Sequence, residues 1–156
     1  VTTLPYFSGE RTPLNDLKAK GVFFGMSLST SPGDLFRSLQ EAIGYGIRHN
    51  IDEMKKEGAQ ADRIMAIGGA SESLQLMQII TDITGCSQHL SHQKLGACYG
   101  DAFLAAVGSN YISSINEIAK WVRLEEEITP VETAKPIYDE GYERYRKLYQ
   151  STRHLL

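Results

Sequence analysis

Three observations predict an α/β fold with an at least partly parallel sheet. Short apolar runs of strand length alternate with longer segments whose apolar residues recur every three or four positions. One of those runs ends in paired glycines that open directly into a helical segment, as strand-to-helix connections do in such folds. The chain has 156 residues, 42% hydrophobic and 22% charged, which suits one ordinary globular domain able to bury a core without staples.

Taken in order, the chain begins extended and enters a turn-rich stretch, SGERTPLNDLKAKG, where Pro13 and the Asn15-Asp16 pair mark an irregular loop. Residues 21–28, GVFFGMSL, form an apolar run of strand length with Phe23 and Phe24 inside it. STSPGD supplies a turn. Ser31 or Asp34 can cap the helix that follows, and Pro32 suits its first turn. From Leu35 to about Glu57, Leu35, Leu39, Ile43, Ile47, Ile51 and Met54 lay one apolar stripe, and Gly58 sits where a C-terminal stop belongs. Arg37, Glu41, Arg48, Glu53, Lys55 and Lys56 make the polar face. Gly44 and Gly46 each cost up to about 1 kcal/mol relative to alanine in a helix interior, so something is expected to pack very close to that backbone.

Residues 63–67, RIMAI, are a second strand ending at Gly68-Gly69. Ser71 is read as the cap of a helix through Thr84, with apolar residues on more than one face, the pattern of burial on two sides, and Gly85 ends it. The polar segment SQHLSHQK, with a short strand, leads to residues 96–108, GACYGDAFLAAVG, a small-residue helix suited to lie close against a sheet. A further helical segment holds Ile115, Ile118, Ala119 and Val122. After the loop around Pro130, Tyr138, Tyr142, Tyr145 and Tyr149 repeat at helical spacing, the mark of a terminal helix docking by aromatic faces.

Composition removes several function classes. A net charge of -3 with no basic stretch gives no electrostatic footprint for nucleic acid. No apolar segment approaches the about twenty residues of a membrane span, and no signal peptide opens the sequence. Cys86 and Cys98 read as free thiols of a reducing compartment, which makes the cytoplasm the expected location. The abrupt extended start, VTTLPYFSGERTP, leads to the expectation that the chain is a piece of a longer polypeptide.

Few residues promise chemistry. In IMAIGGASES the glycines serve either a tight turn or a ligand that approaches the backbone more closely than side chains allow. Glu10 and Arg11 either neutralise a phosphate or fix their own loop through a salt bridge. Asp101 reads as a cap or hydrogen-bond partner of the neighbouring loop, with a reach toward a cleft as the alternative. His89 and His92 lack the surrounding ligands that a metal needs and read as a solvated loop. Cys98, among small residues, reads as buried filler.

Taken together, GERTP (9–13), GVFFGMSLS and DLFRSLQEAIGYGIRHN, then IMAIGGASESLQLMQIITDITG and LGACYGDAFLAAVG, resemble the C-terminal part of the FGGY carbohydrate kinases in order and spacing. The signature residues are Gly21, Phe23, Gly25, Met26, Asp34, Leu35 and Glu41. YFSGERTP and YGDAFLAAVG are most similar to the xylulokinase branch. The resemblance implies an actin-like, ribonuclease-H-like domain, a central mixed sheet with flanking helices, here lacking its first strands. It implies that residues 1–156 form a single domain, most of the C-terminal, nucleotide-side domain of a two-domain sugar kinase.

The implied activity is ATP-dependent phosphorylation of a sugar hydroxyl, on xylulose or a related pentulose, with Mg2+. The general-base aspartate lies upstream, so this chain holds no catalytic residue, and Glu10 and Arg11 are at most a cleft loop. Gly68, Gly69, Ala70 and Ser73 are the implied nucleotide contacts, with Ser73 where the family often has asparagine. The implied partners are the sugar, ATP and the N-terminal kinase domain of the same protein, with a homodimer left open. The rival is a non-catalytic fragment or degenerate kinase domain serving as a binding or oligomerisation module.

Overall fold

The longest segment of the chain organises the rest. In the computed structural model, which describes residues 1–59, 64–92 and 96–155 and omits the Glu125 side chain, helix α1 spans Pro32–Lys56. Ser31 is its cap. The Ser31 Oγ accepts from the Asp34 amide at 3.2 Å, and the Asp34 carboxylate accepts from the Ser31 amide at 2.8 Å. This reciprocal box satisfies two otherwise orphaned donors and holds the Asp34 carboxyl below the usual carboxylate range.

The face that α1 buries is not the aliphatic stripe expected from spacing. Ser38, Gln40, Ala42, Gly44, Tyr45 and His49 face inward, while Ile43 and Met54 are 44% and 57% exposed. The partners explain the exchange. Helix α2 (Leu74–Thr84) and helix α5 (Lys135–Thr152) press on α1 with Ile83 and with the tyrosine row, and small residues admit them. A Cβ on Gly44 would stand 2.6 Å from the Ile83 Cδ1, so the expected close approach is there; at Gly46 it would make only ordinary contact with Tyr145. Arg48, expected on the polar face, turns inward instead. It pairs with Asp139 at 2.7 Å, donates to the Ile83 carbonyl at 3.2 Å and lies 4.4 Å from the Tyr142 ring centre.

Two sheets flank this helical layer. Strand β1 (Thr2–Leu4) pairs antiparallel with β2 (Val22–Phe24). The β2 strand is shorter than the run GVFFGMSL, because a bend at Gly25 and turn bonds around Ser27 and Thr30 divert the chain into the α1 cap. The second sheet has the order β3-β4-β5: β3 (Ile64–Ala66) is parallel to β4 (Gln88–Ser91), and β4 is antiparallel to β5 (Leu124–Ile128). The sheet is therefore mixed, as expected; Arg63, the first residue of the predicted second strand, lies outside the described residues. Strand β5 was not expected, because LEEEI is poor in the residues that favour strands. Gln88 fastens β4 to α2, its amide donating to Thr81 at 2.8 Å and to the Met77 carbonyl at 3.2 Å.

The core divides in two around α2. Ile79 and Ile83 join the tyrosines of α5, Leu4 and Tyr6; Met77 and Ile80 join Leu90 and Ile128 of the sheet. That is the expected burial on two sides. All four tyrosines of α5 are buried, with Tyr145 bonded to the Tyr6 hydroxyl at 2.6 Å and Tyr149 to Asp16 at 2.8 Å. Helix α3 (Gly96–Gly108) departs from expectation. It buries only Phe103, and a Cβ on Gly96, Gly100 or Gly108 would meet open space, so this helix does not lie against the sheet. Cys98 is exposed rather than filler, and Cys86 is also a free thiol. A short helix α4 (Ile118–Trp121) follows, with Trp121 against Tyr99 and Phe103.

Candidate functional site

The carboxyl end of β3 runs straight into the turn Gly68–Ser73, so the four residues expected to touch a nucleotide sit on one short segment. Gly68 has φ +87° and ψ -178°, a region that is essentially glycine's alone, and a side chain there is strained. Gly69 opens a short 3-10 turn, Gly69–Glu72, which Ser71 closes: its amide and hydroxyl both donate to the Gly68 carbonyl, at 3.0 and 2.7 Å. Ser71 was expected to cap the following helix. Ser73 does so instead, its Oγ accepting from the Leu76 amide at 3.3 Å, because the 3-10 turn places α2 two residues later.

Gly69 differs from its neighbour in what makes it glycine. Its φ lies outside the left-handed region, and a Cβ built on it meets nothing within 4 Å. Neither backbone conformation nor packing within the described chain asks for glycine there. Gly69, Ala70 and Ser73 are exposed, while Ser71 beneath them is 5% exposed, so the turn presents a bare backbone surface on a fixed base. Ser73 accepts through its Oγ from Leu76, which leaves its hydroxyl proton free to donate outward.

Strands β3 and β4 are parallel, so their carboxyl ends face the same side, the side on which ligands bind in open α/β sheets. After β4 there is a cavity of about 390 Å³ lined by His92, Tyr99, Lys120, Trp121 and Arg123. Sequence reading missed this grouping, since those residues are spread from position 92 to position 123 and no motif joins them.

The other candidates are not drawn into the turn. Glu10 and Arg11 belong to the loop before β2. The Glu10 carboxylate accepts from the Thr12 amide at 3.1 Å, its backbone pairs with Asp16, and Arg11 is exposed. No ion pair joins Glu10 to Arg11 among the described residues, so the salt-bridge reading of that loop is not met. Asp101 is exposed on α3. His89 sits within β4 opposite Glu127 rather than in a loop, and His92 is exposed beyond its end. Among the described residues no group of three His, Cys, Asp or Glu side chains converges to hold a metal.

Comparison with known proteins agrees with this geometry. The profile of the FGGY family of carbohydrate kinases, C-terminal domain, matches residues 1–109. The chain is 35% identical over 153 residues to the xylulose kinase of Escherichia coli K12, covering 96% of the chain and 31% of that protein. It is 32% identical over 146 residues to the xylulose kinase of Staphylococcus xylosus, covering 93% and 30%. The crystal structure of xylulose kinase from Rhodospirillum rubrum superposes with a TM-score of 0.83 at 32% identity, covering 99% of the chain and 31% of that one. The chain thus spans less than a third of the length of these relatives. A mixed sheet with flanking helices, a glycine-paired turn after β3, and a matching profile over most of its length together make this chain a C-terminal domain of the FGGY family of carbohydrate kinases.

Proposed function

We propose that the polypeptide carrying residues 1–156 phosphorylates a sugar hydroxyl with ATP, on xylulose or a related pentulose, and that this chain is the domain that holds the adenosine end. Residues 1–156 are one unit, most of the nucleotide-side domain. The observation that carries the reading is the bare backbone at Gly69. A flat base or ribose lying on the turn needs the space that a side chain would fill. The Ser73 hydroxyl supplies a directed donor at its rim, in place of an asparagine amide. Burial of Ser71 under the turn keeps this surface rigid, and preorganised surfaces lose less ordering entropy on binding.

The sugar's proton is removed by an aspartate of the N-terminal domain, and closure of the two domains excludes water from the transfer. Mg2+ accompanies the ATP phosphates. In this reading the chain's part lies at the nucleotide's adenosine end. The Glu10–Arg11 loop is a cleft loop in this reading, its arginine exposed and available to an anion. The working location is the cytoplasm, where ATP and sugar meet; among the described residues no helix is long and apolar enough to cross a membrane.

A kinase assay over a panel of ketoses and polyols tests the reading. The whole polypeptide should consume ATP in a sugar-dependent way, with a pentulose preferred, and residues 1–156 alone should show no such turnover. Turnover by the isolated chain would overturn the assignment of the base to another domain. Absence of turnover by the whole polypeptide with every sugar would favour the rival, a degenerate kinase domain used for binding or assembly.

A further inference from the structure

Where β4 and β5 end, two basic residues come together. His92 follows the last residue of β4 and Arg123 precedes the first of β5, and the His92 amide donates to the Arg123 carbonyl at 3.0 Å. The antiparallel pairing of the two strands thus joins residues far apart in sequence. Helix α4 adds Lys120 and Trp121, and helix α3 adds Tyr99. These five line the cavity of about 390 Å³ beyond β4.

The lining is of two kinds. One part is aromatic and fixed in place. The Trp121 ring centre lies 5.3 Å from that of Tyr99 and 5.2 Å from that of Phe103, which is buried. The Tyr99 hydroxyl also donates to the Trp121 carbonyl at 3.1 Å. Tyr99 and Trp121 are themselves only half-buried, so ring surface stays open. The other part is basic: His92, Lys120 and Arg123 are exposed, and no carboxylate lines the cavity. Lys120 pairs at 3.2 Å with Glu117, which lies outside the lining, while Arg123 makes no ion pair among the described residues. A chain of net charge -3 whose β5 reads LEEEI has no compositional reason to gather three basic side chains around one hollow.

A phosphate monoester carried on a ring meets both parts at once. Its oxygens accept from the planar fork of an arginine and from the point charge of a lysine. The flat face of a sugar or base lies against an aromatic ring. An inorganic anion uses only the basic groups, and an apolar ligand uses only the rings.

We infer that this cavity is a second ligand site, for a phosphate monoester of a sugar or a nucleoside, with Arg123 and Lys120 on the phosphate and Trp121 against the ring. The cavity shares no lining residue with the Gly68–Ser73 turn, and nothing in its make-up depends on the kinase reading.

Calorimetric titration of the whole polypeptide with inorganic phosphate, adenosine monophosphate and a pentulose phosphate tests the site. The double variant Lys120→Gln/Arg123→Gln, altered only at exposed positions, should weaken binding of inorganic phosphate and of at least one ester by at least about tenfold. Trp121→Ala should weaken that ester at least about fivefold more than inorganic phosphate, and Trp121→Phe should restore it. A loss confined to the adenosine ester identifies a base as what the rings hold, and a loss confined to the pentulose ester identifies a sugar. Loss of both means that the site selects a phosphate on either ring. A smaller loss in the double variant overturns the inference, and so does an equal loss of inorganic phosphate and ester in Trp121→Ala.

Discussion

Gly68 and Gly69 are adjacent and identical, yet the fold asks for glycine at only one of the two positions. At Gly68 the backbone itself, at φ +87° and ψ -178°, excludes side chains. Gly68→Ala should therefore destabilise the fold by about 1–3 kcal/mol. At Gly69 an added methyl meets open space, so Gly69→Ala should change stability by no more than about 0.5 kcal/mol. Thermal unfolding of the two variants separates these roles, and equal losses would mean that both glycines serve the turn alone. The sequence IMAIGGASES announced a turn but could not show this division, because it depends on a dihedral angle at one residue and on empty space at the next. The same holds for the serines. Ser71 and Ser73 are both plausible caps, and only the intervening 3-10 turn decides that Ser73 does it.

Helices α1 and α5 were legible as elements, from the Ser31-Pro32 start, the long period and the tyrosine spacing. The contact face of α1 was not. Periodicity finds the aliphatic side of a helix, but here the core side is Ala42, Gly44 and Tyr45, chosen for shape against Ile83 and the tyrosine row. Gly141 of α5 belongs to the same fit, since a Cβ there would overlap the Tyr45 hydroxyl. Tyr45 is 5% exposed and its ring cannot shorten, so Gly141→Ala should cost about 1–3 kcal/mol despite alanine's better helix propensity. Chemical denaturation of the variant checks this, and a stabilised protein would mean that α1 and α5 are less tightly seated than described. Strand β5 was illegible for the opposite reason: its glutamates suit an exposed edge and hide the strand's pattern.

On the scale of the whole molecule, family membership rested on the order of several weak motifs rather than on any one of them. Each piece alone, a paired glycine or a small-residue helix, recurs in unrelated proteins. Their succession over the chain is what the family profile and the xylulose kinases share with it. In the proposed reading the site is less legible than the fold because this chain holds only part of it: the turn offers backbone and one hydroxyl, and a second domain brings sugar and base. The measurement that bears most directly on this account is steady-state kinetics of Gly69→Leu in the whole polypeptide. The Michaelis constant for ATP should rise at least about tenfold, a loss of about 1.4 kcal/mol, while that for the sugar stays within about twofold. Equal increases for both substrates, or no increase for ATP, would contradict the claim that this turn holds the nucleotide.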